Sequence, residues 1–329
     1  MKLNKKIFVL IFLLKSNKLR SNKVLLKWCI EIKDKILKEK IKNIAKDFNS
    51  QNDNVEVKLC WNKEFKPDIS LLSEHQACSF GYKYEVEQFS KNIPTLFYNP
   101  KLLKTLNINC FNTWEDFNEI KNIIKKNDLL SLTINNFTWS MIESFYATHD
   151  IEYCDNLNGI KSLPKKISIT NKHFFNHLSY LYDLDKNNYI DLNLSDFKST
   201  KTFLLKKTPF LIGSTSLLDT LKKYNLYDID IKTSQLPYWN YLISKPKSEF
   251  NSGTFNVIFN KNNEYVNKLI EFTKKYNIMN EKDKNVLDYK IPNYFKIRSE
   301  LKILKKNIAA LDLENILKKL DKKFIEILK

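Results

Sequence analysis

Four histidines and five cysteines are the residues best able to bind a metal or activate a nucleophile, and their spacing decides whether they do. His173 and His177 stand one helical turn apart, so they share a helix face, but a metal site needs a third ligand that nothing beside them supplies. The pair reads as a solvated or core-edge helix face. Cys29, Cys60, Cys78, Cys110 and Cys154 are odd in number and irregularly spaced, with no CxxC pair and no run joining them to His75 or His149. One disulfide would fit this count, and scattered buried thiols are the expected state. The serines meet no histidine at motif spacing, so no base–nucleophile pair forms. No catalytic residue, metal or cofactor is expected, and the chemistry to look for is noncovalent recognition.

A net charge of +18 invites a nucleic-acid reading, because lysine-rich surfaces bind phosphate polymers by counterion release. The lysines, however, run from Lys2 to Lys329 and mix with Asn and Ile, and no nucleic-acid module accompanies them. Compositional bias with a solvated lysine face is the expectation, without a nucleic-acid partner. At 329 residues, 43% of them hydrophobic and only 4 of them Gly, the chain can build two lobes with real cores.

The elements that must position a site follow in order. Lys2, Lys5 and Lys6 precede an apolar run, Ile7 to Leu14, in the order of a signal peptide, and the run is too short for an ordinary membrane span. KSNKLRSNK then offers neither a small-x-small cleavage site nor a lipid-attachment cysteine, so an uncleaved anchor or a buried first strand compete with export. Val24 to Trp28 is an apolar run, and Leu37, Ile41, Ile44 and Phe48 mark one helix face. Val55, Val57, Leu59 and Trp61 alternate as a strand. Strand, helix, strand opens a parallel α/β unit. Leu129 to Ile134 predicts a strand, with a helix from Phe137, and Trp139 on its apolar stripe predicts core. Residues 160–200 predict helices without chemistry, and Asp312 to Leu328 an amphipathic closing helix.

The richest stretch is 92–124. Pro94 to Tyr98 is apolar; Asn99 caps a helix with Pro100 at its first position; Thr113 and Asp116 make a capping-box start with Trp114, Phe117, Ile120 and Ile124 behind. IPTLFYNPKLLKTLNI followed by FNTWEDF resembles the family 1 extracellular solute-binding proteins of ABC importers, the maltose and oligosaccharide type, where the chain first leaves the N-terminal lobe. VLLKW, NVEVKL, Pro67-Asp68-Ile69, the FTW at Phe137, FLLKKTPFLIGSTS, IDIKTSQLPYW and SGTFNVIFN resemble further family segments in the same order, over roughly residues 23–328.

The resemblance implies an α/β, two-lobed periplasmic-binding-protein fold of type II: two mixed sheets flanked by helices, with a multi-strand hinge. Residues 1–20 would be a signal peptide or anchor, 21–105 plus 255–290 the N-terminal lobe, and 106–254 plus 291–329 the C-terminal lobe. Crossings fall near 99–112, 251–255 and 289–295, with Tyr98, Asn99 and Thr113 at the hinge. Ligand-binding candidates are Trp28, Glu74, Asn135, Asn136, Ser214, Trp239, Ser252, Gly253 and Thr254, at strand ends where such sites lie. For Trp28 and Trp239 a place in the core competes with a role as stacking platform, and for Glu74 a plain surface carboxylate does. The function implied is the extracytoplasmic, periplasmic binding component of an importer. It would be a monomer that closes on a sugar, oligosaccharide or glycerol phosphate and docks on a membrane permease. Thr215 and Leu72 stand where maltose-type members carry aromatic platforms, which points to a smaller or anionic solute, or to a degenerate fold with a structural or interaction role.

Overall fold

The computed structural model describes residues 23–32, 35–61, 66–81, 83–247, 252–276, 289–305 and 310–329. The expected leader over 1–20 lies outside them. Among the described residues no helix is long and apolar enough to cross a membrane.

The fold is mixed α/β. The first sheet contains β1 (Val24–Ile30), β2 (Val55–Cys60), β3 (Ile69–Ser73), β4 (Glu85–Asn92) and β9 (Ser252–Ile258), in the order β2-β1-β3-β9-β4. β1 pairs parallel with β2 and β3, whereas β9 lies antiparallel to β3. Alternation puts Leu26, Trp28 and Ile30 on one face, beside Val55 and Val57. Helix α1 (Lys35–Gln51) covers that face with Leu37, Ile41, Ile44 and Phe48. Fully burying each such side chain is worth about 1.5–3 kcal/mol. Asn49 of α1 then treats edge strand β2 as a neighbouring strand would: its amide donates to the Val57 carbonyl at 3.0 Å and accepts from the Val57 N–H at 2.7 Å.

The second sheet runs β6-β7-β5-β8, formed by β5 (Pro94–Tyr98), β6 (Thr133–Ile134), β7 (Phe210–Ser214) and β8 (Lys232–Ser234). β5 is antiparallel to both β7 and β8, and β6 is parallel to β7. The helices are α2 (Glu74–Ala77), α3 (Pro100–Leu106), α4 (Trp114–Lys125), α5 (Ser144–Thr148), α6 (Lys172–Lys186), α7 (Asp196–Leu204), α8 (Leu217–Lys223), α9 (Glu264–Lys274), α10 (Tyr294–Leu301) and α11 (Ala310–Leu328). Thr138–Glu143 is a π-helical segment. The strand expected over 129–134 shrinks to Thr133–Ile134, because Leu130 and Ser131 bond instead to the Lys207 and Tyr189 carbonyls.

The described residues divide into two compact units. One draws on Met1–Ser73, Tyr84–Ser90 and Thr254–Lys284, the other on Glu74–Lys83, Lys91–Gly253 and Asn285–Lys329. The chain therefore changes unit at Ser73–Glu74 and Lys83–Tyr84, within β4 at Ser90–Lys91, within β9 at Gly253–Thr254, and again between the described residues Tyr276 and Tyr289. Tyr98, Asn99 and Thr113, expected at a hinge, lie inside the second unit, as do 289–295. The cause is pairing: β5 has partners on both edges within that unit, so the helices behind it belong there too. Asn99 accepts from the Leu102 N–H at 3.2 Å, and Thr113 and Asp116 form the reciprocal capping box at the start of α4.

Thr113→Ala should lower unfolding stability by about 1 kcal/mol, the usual worth of such a cap. Urea unfolding checks this, with an unchanged m-value expected.

Candidate functional site

Strands β6 and β7 run side by side with Ile134 opposite Ile212, so the residues that follow both leave the sheet at one carboxyl edge. There the structure brings together three of the expected ligand-binding residues: Asn135 and Asn136 after β6, and Ser214 at the end of β7. The approach is close enough that a Cβ on Gly213 would stand 3.6 Å from the Asn135 Cβ and 3.1 Å from Leu217 Cδ2. Asn135 is buried; its side-chain amide donates to Thr200 Oγ1 at 2.9 Å, while its Oδ1 has no hydrogen-bond partner among the described residues. Asn136 adopts the left-handed conformation at φ 52, which asparagine tolerates better than most residues, and its N–H donates to Asp196 Oδ1 at 2.8 Å. Beyond Gly213 the chain offers hydroxyls: Ser214 and Ser216 hydrogen-bond each other at 2.8 Å, and Thr215 Oγ1 accepts from the Ile93 N–H. This edge presents amide and hydroxyl groups beside the Asp196 carboxylate, groups suited to a polar, hydroxyl-bearing ligand.

A second group of expected residues sits where β4 and β9 pass between units. Ser90 Oγ and Thr254 Oγ1 are 2.8 Å apart, and the Thr254 N–H donates to Ser90 Oγ at 3.2 Å. Gly253 has φ 141, a backbone region that side-chain-bearing residues rarely enter. Thr254 thus has a partner within the fold, and Ser252 and Gly253 precede it at the change of unit.

The remaining expected ligands are structural. Trp28 belongs to the core of the first unit, its indole N–H donating to Asn256 Oδ1 at 3.2 Å and its ring edge-on to Phe89. Trp239 is buried in the second unit between two histidines that it locks. Its backbone N–H donates to His149 Nε2 at 2.9 Å and its indole N–H to His177 Nδ1 at 3.1 Å. An N–H can only donate, so His149 must carry its proton on Nδ1, toward the Phe145 carbonyl 2.7 Å away, and His177 must carry its proton on Nε2. Burial lowers the His149 pKa to about 4 and, with His149 nearby, the His177 pKa to about 3. The expected His173–His177 surface pair is split: His177 is buried and His173 exposed. Trp139 is core, as its stripe predicts.

Glu74 is not a surface carboxylate. It is 2% exposed and meets Arg298, whose guanidinium lies 3.3 Å from Glu74 Oε2, 3.1 Å from His75 Nδ1 and 2.7 Å from Glu143 Oε2. Burial opposes the Arg298 charge, but the Glu143 and Glu74 carboxylates outweigh it and hold the guanidinium protonated. Burial also raises the Glu143 pKa, and Arg298 draws it partly back. Sequence reasoning missed this trio, because 74, 143 and 298 carry no common spacing. Arg298, one of the two arginines in a lysine-rich chain, was the available signal.

No model of a known protein family matches the chain, and no curated protein matches it. What its fold and candidate site define is a mixed α/β protein of two units with an amide- and hydroxyl-lined strand edge in the second.

Arg298→Met should cost about 3–5 kcal/mol, since it strands two buried carboxylates; denaturant unfolding measures it. The histidines set a pH dependence. Their folded pKa values lie below the ordinary 6.5, so the unfolded chain binds more protons at acidic pH. Stability from His149 and His177 is complete above about pH 6.5 and falls as pH drops toward 4. Melting temperature against pH should therefore flatten over that window in His177→Asn relative to the unaltered chain, and parallel curves would refute the assignment.

Proposed function

We propose that the chain is the extracytoplasmic solute-binding component of an ABC importer, with the two-lobed periplasmic-binding-protein fold of type II, closing its lobes on a sugar-class solute and presenting the closed form to a membrane permease. The observation that carries this is the passage of the chain: β4 and β9 each change unit within the strand, held side by side by Ser90 and Thr254. Two paired strands resist shear yet can bend together at a residue such as Gly253, which is the mechanical requirement of a hinge. Binding then needs no chemistry beyond a difference in affinity between open and closed states.

The solute is matched to the carboxyl edge of β6 and β7. Asn135, Asn136 and Ser214 supply donors and acceptors, whereas Trp28 and Trp239 are spent on cores. A small neutral polyol or sugar fits such a rim better than a long oligosaccharide, which needs broad aromatic faces, or a glycerol phosphate, which the Asp196 carboxylate would repel. The protein acts as a monomer without metal or cofactor, exported by its N-terminal segment.

A second reading, a solute-binding fold retained for a structural or interaction role, is favoured by the same burial of Trp28 and Trp239 in cores. The experiment separating the two is a thermal-shift panel of sugars, polyols, sugar phosphates and amino acids, with small-angle scattering on any hit. Ligand at one hundred times its dissociation constant should add about 2.7 kcal/mol of stability, and compaction should accompany it. Asn135→Ala should weaken the hit at least tenfold while the protein stays folded. No stabilisation by any member of the panel would remove the transport reading in favour of the second.

A further inference from the structure

β1 and β2 run parallel with Cys29 directly opposite Cys60. Neighbouring strands lie about 4.8 Å apart, inside the Cα separation of about 4.4–6.8 Å that a disulfide spans. Side chains at paired positions leave a sheet on the same side. Trp28 and Ile30 flank Cys29 and face the apolar core, so Cys29 and Cys60 share the opposite face, outside that core. β2 is the edge strand, and Cys60, at its end, is the more accessible thiol, 8% exposed against 3% for Cys29. Burial and the adjoining Cys60 thiol push the Cys29 thiol up to about 12. The other cysteines lie in the second unit, where Cys78 donates to Glu74 Oε1 at 3.2 Å and Cys110 to the Phe111 carbonyl.

We propose that Cys29 and Cys60 form a redox pair that closes to a disulfide between β1 and β2 on exposure to a small-molecule disulfide such as oxidised glutathione. The Cys60 thiolate attacks one glutathione sulfur, forming a mixed disulfide and releasing one glutathione thiolate. Cys29, deprotonated as it reacts, attacks the Cys60 sulfur and releases the second. Two protein thiols are oxidised to one disulfide, oxidised glutathione is reduced to two thiols, and the two cysteine protons pass to the departing thiolates. A high-pKa resolving thiol is slow once buried, so closure accompanies folding, before the sheet is covered. The bond would join the two strands that α1 connects, in the unit where Asn49 already secures the edge strand. It is independent of solute binding.

The test is refolding of the full chain from denaturant with oxidised and reduced glutathione, against refolding with reductant alone. Thiols are counted in denaturant, and peptides are mapped by mass. The oxidised sample should show three free thiols in place of five, and the peptides holding Cys29 and Cys60 should be linked. Its melting temperature should rise by on the order of 5 °C and return on reduction. Cys29→Ser and Cys60→Ser should each abolish both effects; should the first fail to fold, the second, at the sheet edge, gives the same readout. Five thiols surviving oxidative refolding, a glutathione left unresolved on Cys60, or a bond between other cysteines would each overturn the proposal.

Discussion

A charge removed from water must find its counter-charge, and in the second unit Arg298 is where that demand is met. Its guanidinium binds Glu74, at the first residue after β3, and Glu143, at the end of the π-helical segment. Three stretches far apart in the chain therefore share one point, and none can move without leaving a buried ion unpaired. Because Glu74 follows Ser73 without a linker, the trio also fixes where the chain enters this unit. Burial raises the pKa of Glu143, and the Arg298 charge works against that rise.

The first unit is organised by a different constraint. Its sheet is completed by β9, a strand from late in the chain inserted antiparallel between β3 and β4. The core on α1 and α9 cannot close until that strand arrives, so the unit depends on chain that has already traversed the second. The return is marked by Gly253 and the Ser90–Thr254 pair, small side chains at a place where two strands change unit together.

Aromatic side chains show how tertiary context reassigns a residue that sequence leaves open. Trp239 could have stacked on a sugar; instead each of its two N–H groups finds a histidine, and Trp114 and Tyr180 pack against its ring. The polar residues at the ends of β6 and β7 are less committed. Asn135 keeps an unpartnered carbonyl oxygen, and Ser214 and Ser216 bond chiefly to each other.

Local pattern carried much of the fold. The caps at Asn99 and Thr113, the alternation of β2, the helical faces of α1 and α11 and the core place of Trp139 are short-range effects, readable because each depends on neighbours a turn or a strand step away. The polar turn after β6 was legible for the same reason. Which strands pair, that β5 belongs with β7 and β8, that β4 exists at all in a polar stretch, and that Glu74 turns inward to Arg298 were decided only in three dimensions. Register between distant strands and the pairing of buried charges are long-range energies, and Glu74 and Glu143 acquire them only when the folded chain brings both within 3.3 Å of the Arg298 guanidinium.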